Sequence, residues 1–164
     1  MKLKNQTAFF AVVLTACTLL FTSMAREEGD YDWLKQRLET TKDFTIQVIK
    51  AMPEGDYDFK PTEDVRSFKA QAYHIVYSID YFNRVFKGEN QPAWAPGDEN
   101  SKSKAELEKW AAEQFDAINA TILASANNER LTAGIISYLD HNAHHRGQMI
   151  TYLRAKGVTP PTYR

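Results

Sequence analysis

Apolar residues recur at spacings of three and four in four separate stretches of the chain, and this periodicity constrains the fold more than any other feature. At 100° per residue, such spacing gathers the apolar side chains on one face of a helix, which must then be buried against a partner. No stretch of useful length alternates between apolar and polar residues as a half-buried strand does. The sequence therefore predicts an all-α fold.

The predicted helices cover residues 30–52, 63–87, a stretch from 103 that includes 122, and 129–156. A capping box, Ser103-Lys104-Ala105-Glu106, starts the third helix, because its hydroxyl and carboxylate can each satisfy a free backbone N–H. Gly157 provides the C-cap of the fourth helix. Four amphipathic helices with connections of moderate length predict an antiparallel four-helix bundle.

The connection between the second and third predicted helices is unusually long. Residues 89–102 exceed the ~2 to 8 residues that usually join helices in bundles, and Trp94 lies near the middle. Two interpretations are open. The loop covers a functional site, or its tryptophan packs on the end of the bundle.

The N-terminus has the pattern of a secretory signal peptide. Lys2 and Lys4 precede an uncharged stretch over residues 7–21, and Ser23 and Ala25 are the small residues expected before a cleavage site. The predicted organisation is thus a signal peptide at residues 1–25 and an exported domain at residues 26–164, periplasmic or otherwise outside the cytoplasm.

Two alternatives for this segment stay open. It could be an uncleaved anchor, although the apolar run is near the lower limit of the ~17 to 25 residues that a spanning helix needs. Leu14-Thr15-Ala16-Cys17 resembles a bacterial lipobox, which would make Cys17 a lipidated first residue and the protein a membrane-anchored lipoprotein. The apolar residues 18–21 argue against lipidation. We expect membrane contact only in these two cases.

Charge and cysteine content exclude several classes of function. The formal net charge of −1 lacks the basic footprint of a nucleic-acid-binding protein, so no nucleic-acid partner is expected. Removal of residues 1–25 takes away two lysines and no acid, which shifts the charge to −3, and it also removes the single cysteine. A thiol nucleophile, a cysteine-ligated zinc and a redox dithiol are therefore excluded from the mature domain. The chain has neither a glycine-rich phosphate loop nor a nucleophile elbow.

The histidines point to a metal site. His141 and His145 are spaced i, i+4 on the fourth predicted helix, so their side chains project from one face about 6 Å apart along the axis, as in helical zinc motifs. His145 falls inside the apolar arc of this helix and His141 at its edge, whereas His144 points outward. The only other histidine is His74, on the flank of the second predicted helix.

The candidate metal ligands are therefore His74, His141 and His145. The alternative is that these are ordinary hydrogen-bonded or surface histidines, which is the simpler interpretation for His74 alone. For the whole set, an inward pair of imidazoles needs a reason to be desolvated.

The motif His-x-x-x-His-Arg-Gly-Gln at residues 141–148 resembles the signature of the DinB-like (YfiT-like) metal-dependent proteins. Residues 52–62 resemble the first connection of that family, and residues 152–158 resemble its C-terminal end. The resemblance implies a four-helix bundle that binds one divalent ion, often zinc or nickel, through His74, His141 and His145, with water or substrate at the remaining positions. Homodimers are common in the family.

The family resemblance leaves the reaction open. The family includes S-transferases that use small thiols, thiol-dependent isomerases, some hydrolases and many members without known activity. The small-molecule substrate of this protein is unknown. Thiol cofactors are cytoplasmic, so export weakens the transferase hypothesis and favours metal-assisted hydrolysis or metal binding without catalysis. A third hypothesis is a bundle whose loop 89–102 engages a protein partner.

Four polar residues carry secondary expectations. Arg146 and Gln148 belong to the signature, with roles that stay open, and Arg146 could equally tie helix ends together. Asp140 is not expected to reach His141, since adjacent helix residues face about 100° apart. Asn119 begins a glycosylation acceptor sequence, but its place inside the third predicted helix indicates a coincidence.

Overall fold

The computed structural model describes residues 29–163. Within this range the chain forms four α-helices and two short 3₁₀ turns, and no strand is present: α1 is Lys35–Ala51, α2 is Phe68–Phe86, α3 is Lys104–Leu123, α4 is Glu129–Ala155, and the turns are Asp32–Leu34 and Glu54–Asp56. The predicted all-α fold with four helices is confirmed. The predicted signal peptide at residues 1–25 and the alternative lipidation at Cys17 lie outside the described residues.

None of the helices between residues 29 and 163 is both long enough and apolar enough to span a membrane.

The helix starts follow local capping chemistry. The predicted capping box forms: Ser103 Oγ accepts from the Glu106 N–H, and Glu106 Oε2 accepts from the Ser103 N–H at 2.8 Å. The second helix begins at Phe68 and not at Glu63 as predicted, because Ser67 is its N-cap and accepts a hydrogen bond from the Ala70 N–H at 3.1 Å. The polar residues between Glu63 and Ser67 belong to the preceding connection.

Each helix packs against two neighbours: α1 and α2 each contact both α3 and α4. The α1/α3 pair is antiparallel, since Lys104 Nζ at the start of α3 donates to the Lys50 carbonyl at the end of α1. The α2/α4 pair is also antiparallel, since Gln71 bonds Gln148 near one end while Phe82 packs on Tyr138 near the other. Helices α1 and α2, which are consecutive in the chain, lie diagonally opposite each other in the bundle. The same is true of α3 and α4.

The other two packed pairs are parallel, so the predicted antiparallel arrangement is correct for only half of the interfaces. The contacts that establish the parallel pairs are Tyr31–Thr132 and Thr45–Arg146 between the α1 and α4 sides, and Tyr73–Trp110 and Asn83–Thr121 between α2 and α3. The physical reason is the connection over residues 87–103, which is long enough to run back along α2. As a result, α3 starts at the same end of the bundle as α2.

A single apolar cluster fills the space between the four helices, and Tyr138 of α4 is its unusual member. The side chain is fully buried, and its hydroxyl has no hydrogen-bond partner within residues 29–163. Burial also raises the pKa of the Tyr138 phenol, so the group is neutral. The hydroxyl therefore loses its hydration on folding without a replacement from the protein.

We expect Tyr138→Phe to increase the free energy of unfolding by about 1 kcal/mol, because the change removes a desolvated hydroxyl and keeps the ring. Urea unfolding of the two proteins measures the difference. Tyr138→Ala is the matched variant, and it should lose about 3–5 kcal/mol because it empties the ring volume. A Tyr138→Phe protein that is less stable than the parent would contradict the assignment.

Candidate metal centre

The antiparallel α2/α4 interface brings His74, His141 and His145 together. One nitrogen from each of the three rings lies within 4.8 Å of the others. The His141 and His145 rings, one turn apart on α4, have centroids 4.4 Å apart, and His74 of α2 approaches them with centroid distances of 5.4 and 4.5 Å. His144 is exposed, as predicted, and lies beside the cluster with its ring packed on His145.

The spacing of the nitrogen atoms suits a shared ion. Nε2 of His74 and Nε2 of His145 are 3.2 Å apart. Two histidine nitrogens that bind one tetrahedral zinc at about 2.0–2.1 Å are about 3.3–3.4 Å apart. The same distance also suits a hydrogen bond between the two rings. The partners of the other ring nitrogens show which nitrogens are free to bind an ion.

The His141 ring has an acceptor at Nδ1, which leaves its Nε2 free to bind an ion. His141 Nδ1 is 3.2 Å from Ser78 Oγ, and this hydroxyl already donates its own proton to the Ile75 carbonyl at 2.7 Å. Ser78 therefore acts as the acceptor, and the proton of His141 is on Nδ1. An acceptor behind a histidine fixes its tautomer and orientation in most protein metal sites.

Two glutamines, Gln148 and Gln71, hold the Nδ1 side of the His145 ring. Gln148 Oε1 lies 3.0 Å from His145 Nδ1 and accepts from Gln71 Nε2 at 2.6 Å, and Gln71 Nε2 also lies 2.5 Å from the same His145 Nδ1. The structure thereby gives the signature residue Gln148 a place behind one ring. Gln71, buried on α2, was missed by the sequence analysis. The sequence could have indicated Gln71, because it lies one turn before His74 on the same helix, just as Ser78 lies one turn after it.

The electrostatic environment keeps the cluster neutral. Burial, followed by repulsion from the neighbouring imidazoles, lowers the pKa of His74 and of His141 to about 4 each. Burial also lowers the pKa of His145. Neutral imidazole is the form that binds metal ions, so the three rings are ready for coordination at neutral pH.

The long connection over residues 87–103 runs along α2 and contacts His74. Trp94 packs edge-on against the His74 ring at 5.6 Å and also contacts Tyr77. Glu99 approaches the same ring, with Oε1 3.7 Å from His74 Nδ1, while its Oε2 accepts from Arg66 Nε at 2.8 Å. Of the two interpretations of this loop, the structure supports the one in which it covers a site.

A polar cleft opens beside His145 and has a volume of about 870 Å³. His145 is the only one of the three histidines that lines it. Its other polar walls come from the 60–67 connection, α2, the long connection and α4, and include Arg66, Gln71, Asn100, Gln148 and Tyr152. The cleft is large enough for a small molecule next to the cluster.

The remaining sequence-based candidates lie away from the cluster. Arg146 is buried and faces α1, where its guanidinium donates to Thr45 Oγ1 at 2.9 Å, which favours the helix-tying role. Asp140 is exposed, and no hydrogen bond joins it to His141 in the described part of the chain. Asn119 is buried in α3, which agrees with the expectation that its acceptor sequence is a coincidence.

Comparison with known proteins gives a consistent result. The sequence model of the family described as DinB superfamily matches residues 37–149. The protein YjoA of Bacillus subtilis (strain 168), described as uncharacterized, is 26% identical over 133 aligned residues, and the match covers 72% of this chain and 85% of YjoA.

Two crystal structures of DinB-like proteins share the fold. The structure of YjoA from Bacillus subtilis superposes with a TM-score of 0.64 at 21% identity and covers 80% of this chain and 98% of its own. A DinB-like protein from Bacillus cereus ATCC 10987 superposes with a TM-score of 0.67 at 14% identity and covers 85% of this chain and 100% of its own. At these identities the likeness establishes the fold alone.

Proposed function

The chain belongs to the DinB superfamily, and on that premise we propose that it binds one divalent metal ion, zinc or nickel, through His74, His141 and His145. The observation that carries the proposal is the convergence of three neutral imidazoles, two of which have hydrogen-bonding side chains behind Nδ1. The His74 and His145 rings approach each other through their Nε2 atoms, 3.2 Å apart.

We propose that the site serves a metal-dependent hydrolase or transferase that acts on a small molecule. Three protein ligands leave coordination positions open, and a bound ion of this kind supplies an activated water or thiol near neutral pH. Ser78 holds the proton of His141 at Nδ1, and Gln71 and Gln148 hold the His145 ring in place. The cleft beside His145 supplies the space for a substrate.

A non-catalytic metal-binding bundle is the second candidate, and one observation favours it. His74 is nearly fully buried, and neither it nor His141 lines the cleft, so only His145 connects the cluster with the space for a substrate. A protein-binding role for the long connection is the remaining alternative.

The proposed location outside the cytoplasm and the homodimer rest on other grounds. Export, and with it the preference for hydrolysis over thiol transfer, depends on the residue pattern of segment 1–25 alone. Membrane attachment depends on an uncleaved segment or on lipidated Cys17. The homodimer is carried over from the family resemblance, and size-exclusion chromatography with light scattering tests it.

Elemental analysis of the purified protein tests the metal site. We expect about one zinc or nickel ion per chain for the parent and well under half an ion for His145→Ala, because loss of one of three ligands opens the site. His144→Ala is the matched control, since it removes the neighbouring exposed histidine and should keep the ion. No bound ion in the parent, or an equal content in His145→Ala, would refute the proposal.

Turnover assays separate the two candidates. Ester or amide hydrolysis that requires the ion and disappears in His145→Ala supports a hydrolase. Activity only with an added small thiol supports a transferase. A stoichiometric ion without turnover on either panel supports the non-catalytic bundle.

A further inference from the structure

One ring nitrogen of the histidine cluster lacks a partner. Nδ1 of His74 is buried, and no hydrogen-bond partner reaches it within the described residues, whereas Nδ1 of His141 and Nδ1 of His145 both have one. A neutral imidazole carries a single N–H, so a ring that binds an ion through Nε2 must hold its proton on Nδ1. In His74 that proton would be buried without an acceptor, which is unfavourable.

Glu99 is placed to fill this gap. Its Oε1 lies 3.7 Å from His74 Nδ1, which is longer than a hydrogen bond. A shift of about 1 Å would bring the oxygen to hydrogen-bond distance. Most of the Glu99 side chain is shielded from solvent, and the Arg66 guanidinium, bonded to Oε2 at 2.8 Å, holds the carboxylate beside the ring.

The backbone around Glu99 is anchored to α2, so the carboxylate is held near the ring. The Tyr73 hydroxyl donates to the Pro96 carbonyl at 2.6 Å, and the Ala95 N–H donates to the Tyr77 hydroxyl at 2.8 Å. Trp94, on the same segment, packs on the His74 ring. Movement of the carboxylate onto Nδ1 therefore requires only a small adjustment of the side chain.

We propose that Glu99 is a positioning residue of the metal centre, which accepts the Nδ1 proton of His74 when Nε2 of that ring binds an ion. Arg66, Glu99 and His74 then form a continuous chain from the cleft to the ion. The inference rests on the proposed three-histidine metal site. It adds the Glu99 carboxylate to the groups around that site. Because Glu99 belongs to the long connection, its hydrogen bond would hold this loop against the metal-bound site.

Zinc affinity of the full chain, measured by competition with a chromophoric chelator, is the first test. Glu99→Ala should weaken zinc binding by about 10–100-fold, the range typical for loss of a group that orients a histidine ligand. Glu99→Gln should lose less, because its amide oxygen can still accept the proton. Equal losses for the two variants, or none for Glu99→Ala, would overturn the proposal.

Glu63→Gln is the matched control. Glu63 lines the same cleft and is exposed, and no hydrogen bond or ion pair involves it in the described part of the chain. The substitution removes the same charge, so its zinc affinity should stay within about twofold of the parent. A loss as large as that of Glu99→Ala would show a general charge effect and overturn the specific role.

Nitrogen-detected NMR of the histidine rings in the zinc-loaded protein adds a readout that a merely structural role would not move. The parent should show the His74 proton on Nδ1 and protected from exchange with solvent, and Glu99→Ala should exchange this proton faster. Melting temperatures of the metal-free proteins verify that the variant folds. Unchanged exchange together with weaker zinc binding would overturn the proposal. Failure of the parent to bind zinc would instead refute the metal site itself.

Discussion

Zinc at a free concentration about 1,000-fold above its dissociation constant should raise the free energy of unfolding by about 4 kcal/mol, since an ion that binds only the folded state stabilises it by mass action. For a domain of this size, the gain corresponds to a rise in melting temperature of roughly 10–20 °C. The ion should bind only the folded state, because the three ligands converge through the α2/α4 interface. Calorimetry in zinc and in a chelator measures the shift.

Two single variants make this expectation specific. His141→Ala should lose most of the zinc-dependent shift, because it removes one of three ligands, whereas His144→Ala should keep it. Each variant is compared with its own metal-free form, so a change in baseline stability does not enter the result. Equal melting temperatures of the parent with and without zinc would contradict a metal site in the folded protein.

The histidine site shows which contacts can be predicted from the sequence and which cannot. The His141 and His145 pair is local, and a helix of regular geometry fixes both side chains on one face whatever the rest of the chain does. His74 is distant in sequence, and its approach depends on the antiparallel packing of α2 on α4. Its candidacy rested on its being the only remaining histidine and on the family resemblance, and helix periodicity alone does not give the register between two helices.

Apart from Gln71, the site residue that sequence reasoning missed has the same non-local origin. Glu99 lies in a connection without periodicity, and only its path along α2 brings it to His74. That path also explains why α2 and α3 are parallel, although connection length alone was compatible with either direction. The start of α2 was misplaced because the residues around Glu63 permit a helix, while Ser67 offers a better cap at a position that packing also favours.

Arg146 belongs to the signature, and its side chain contacts α1. The side chain is 5% exposed, its guanidinium lies 5.0 Å from the centre of the Phe44 ring, and it donates to Thr45 Oγ1. No carboxylate forms an ion pair with it within residues 29–163. Burial accordingly lowers the pKa of Arg146. These contacts join α4 to α1.

Arg146→Ala should decrease the free energy of unfolding by about 2–4 kcal/mol, because it removes a buried side chain and leaves a cavity between α1 and α4. Arg146→Met should cost far less, since an apolar residue of similar length fills the space without the cost of a buried charge. Urea unfolding measures both variants, with the slope checked for an unchanged exposed area.

Thr45→Val completes the comparison, because it keeps the shape of the threonine and removes the acceptor of the Arg146 hydrogen bond. It should cost about 1–3 kcal/mol in the parent, where the guanidinium stays buried without its partner, and much less in the Arg146→Met background. Zinc content should be unchanged in Arg146→Met, since this side chain contacts α1 and not the histidine cluster. Loss of the ion in Arg146→Met would show that the guanidinium acts on the metal centre. Equal losses of stability for Met and Ala would show that the hydrogen bond to Thr45, and not the packed volume, links the helices.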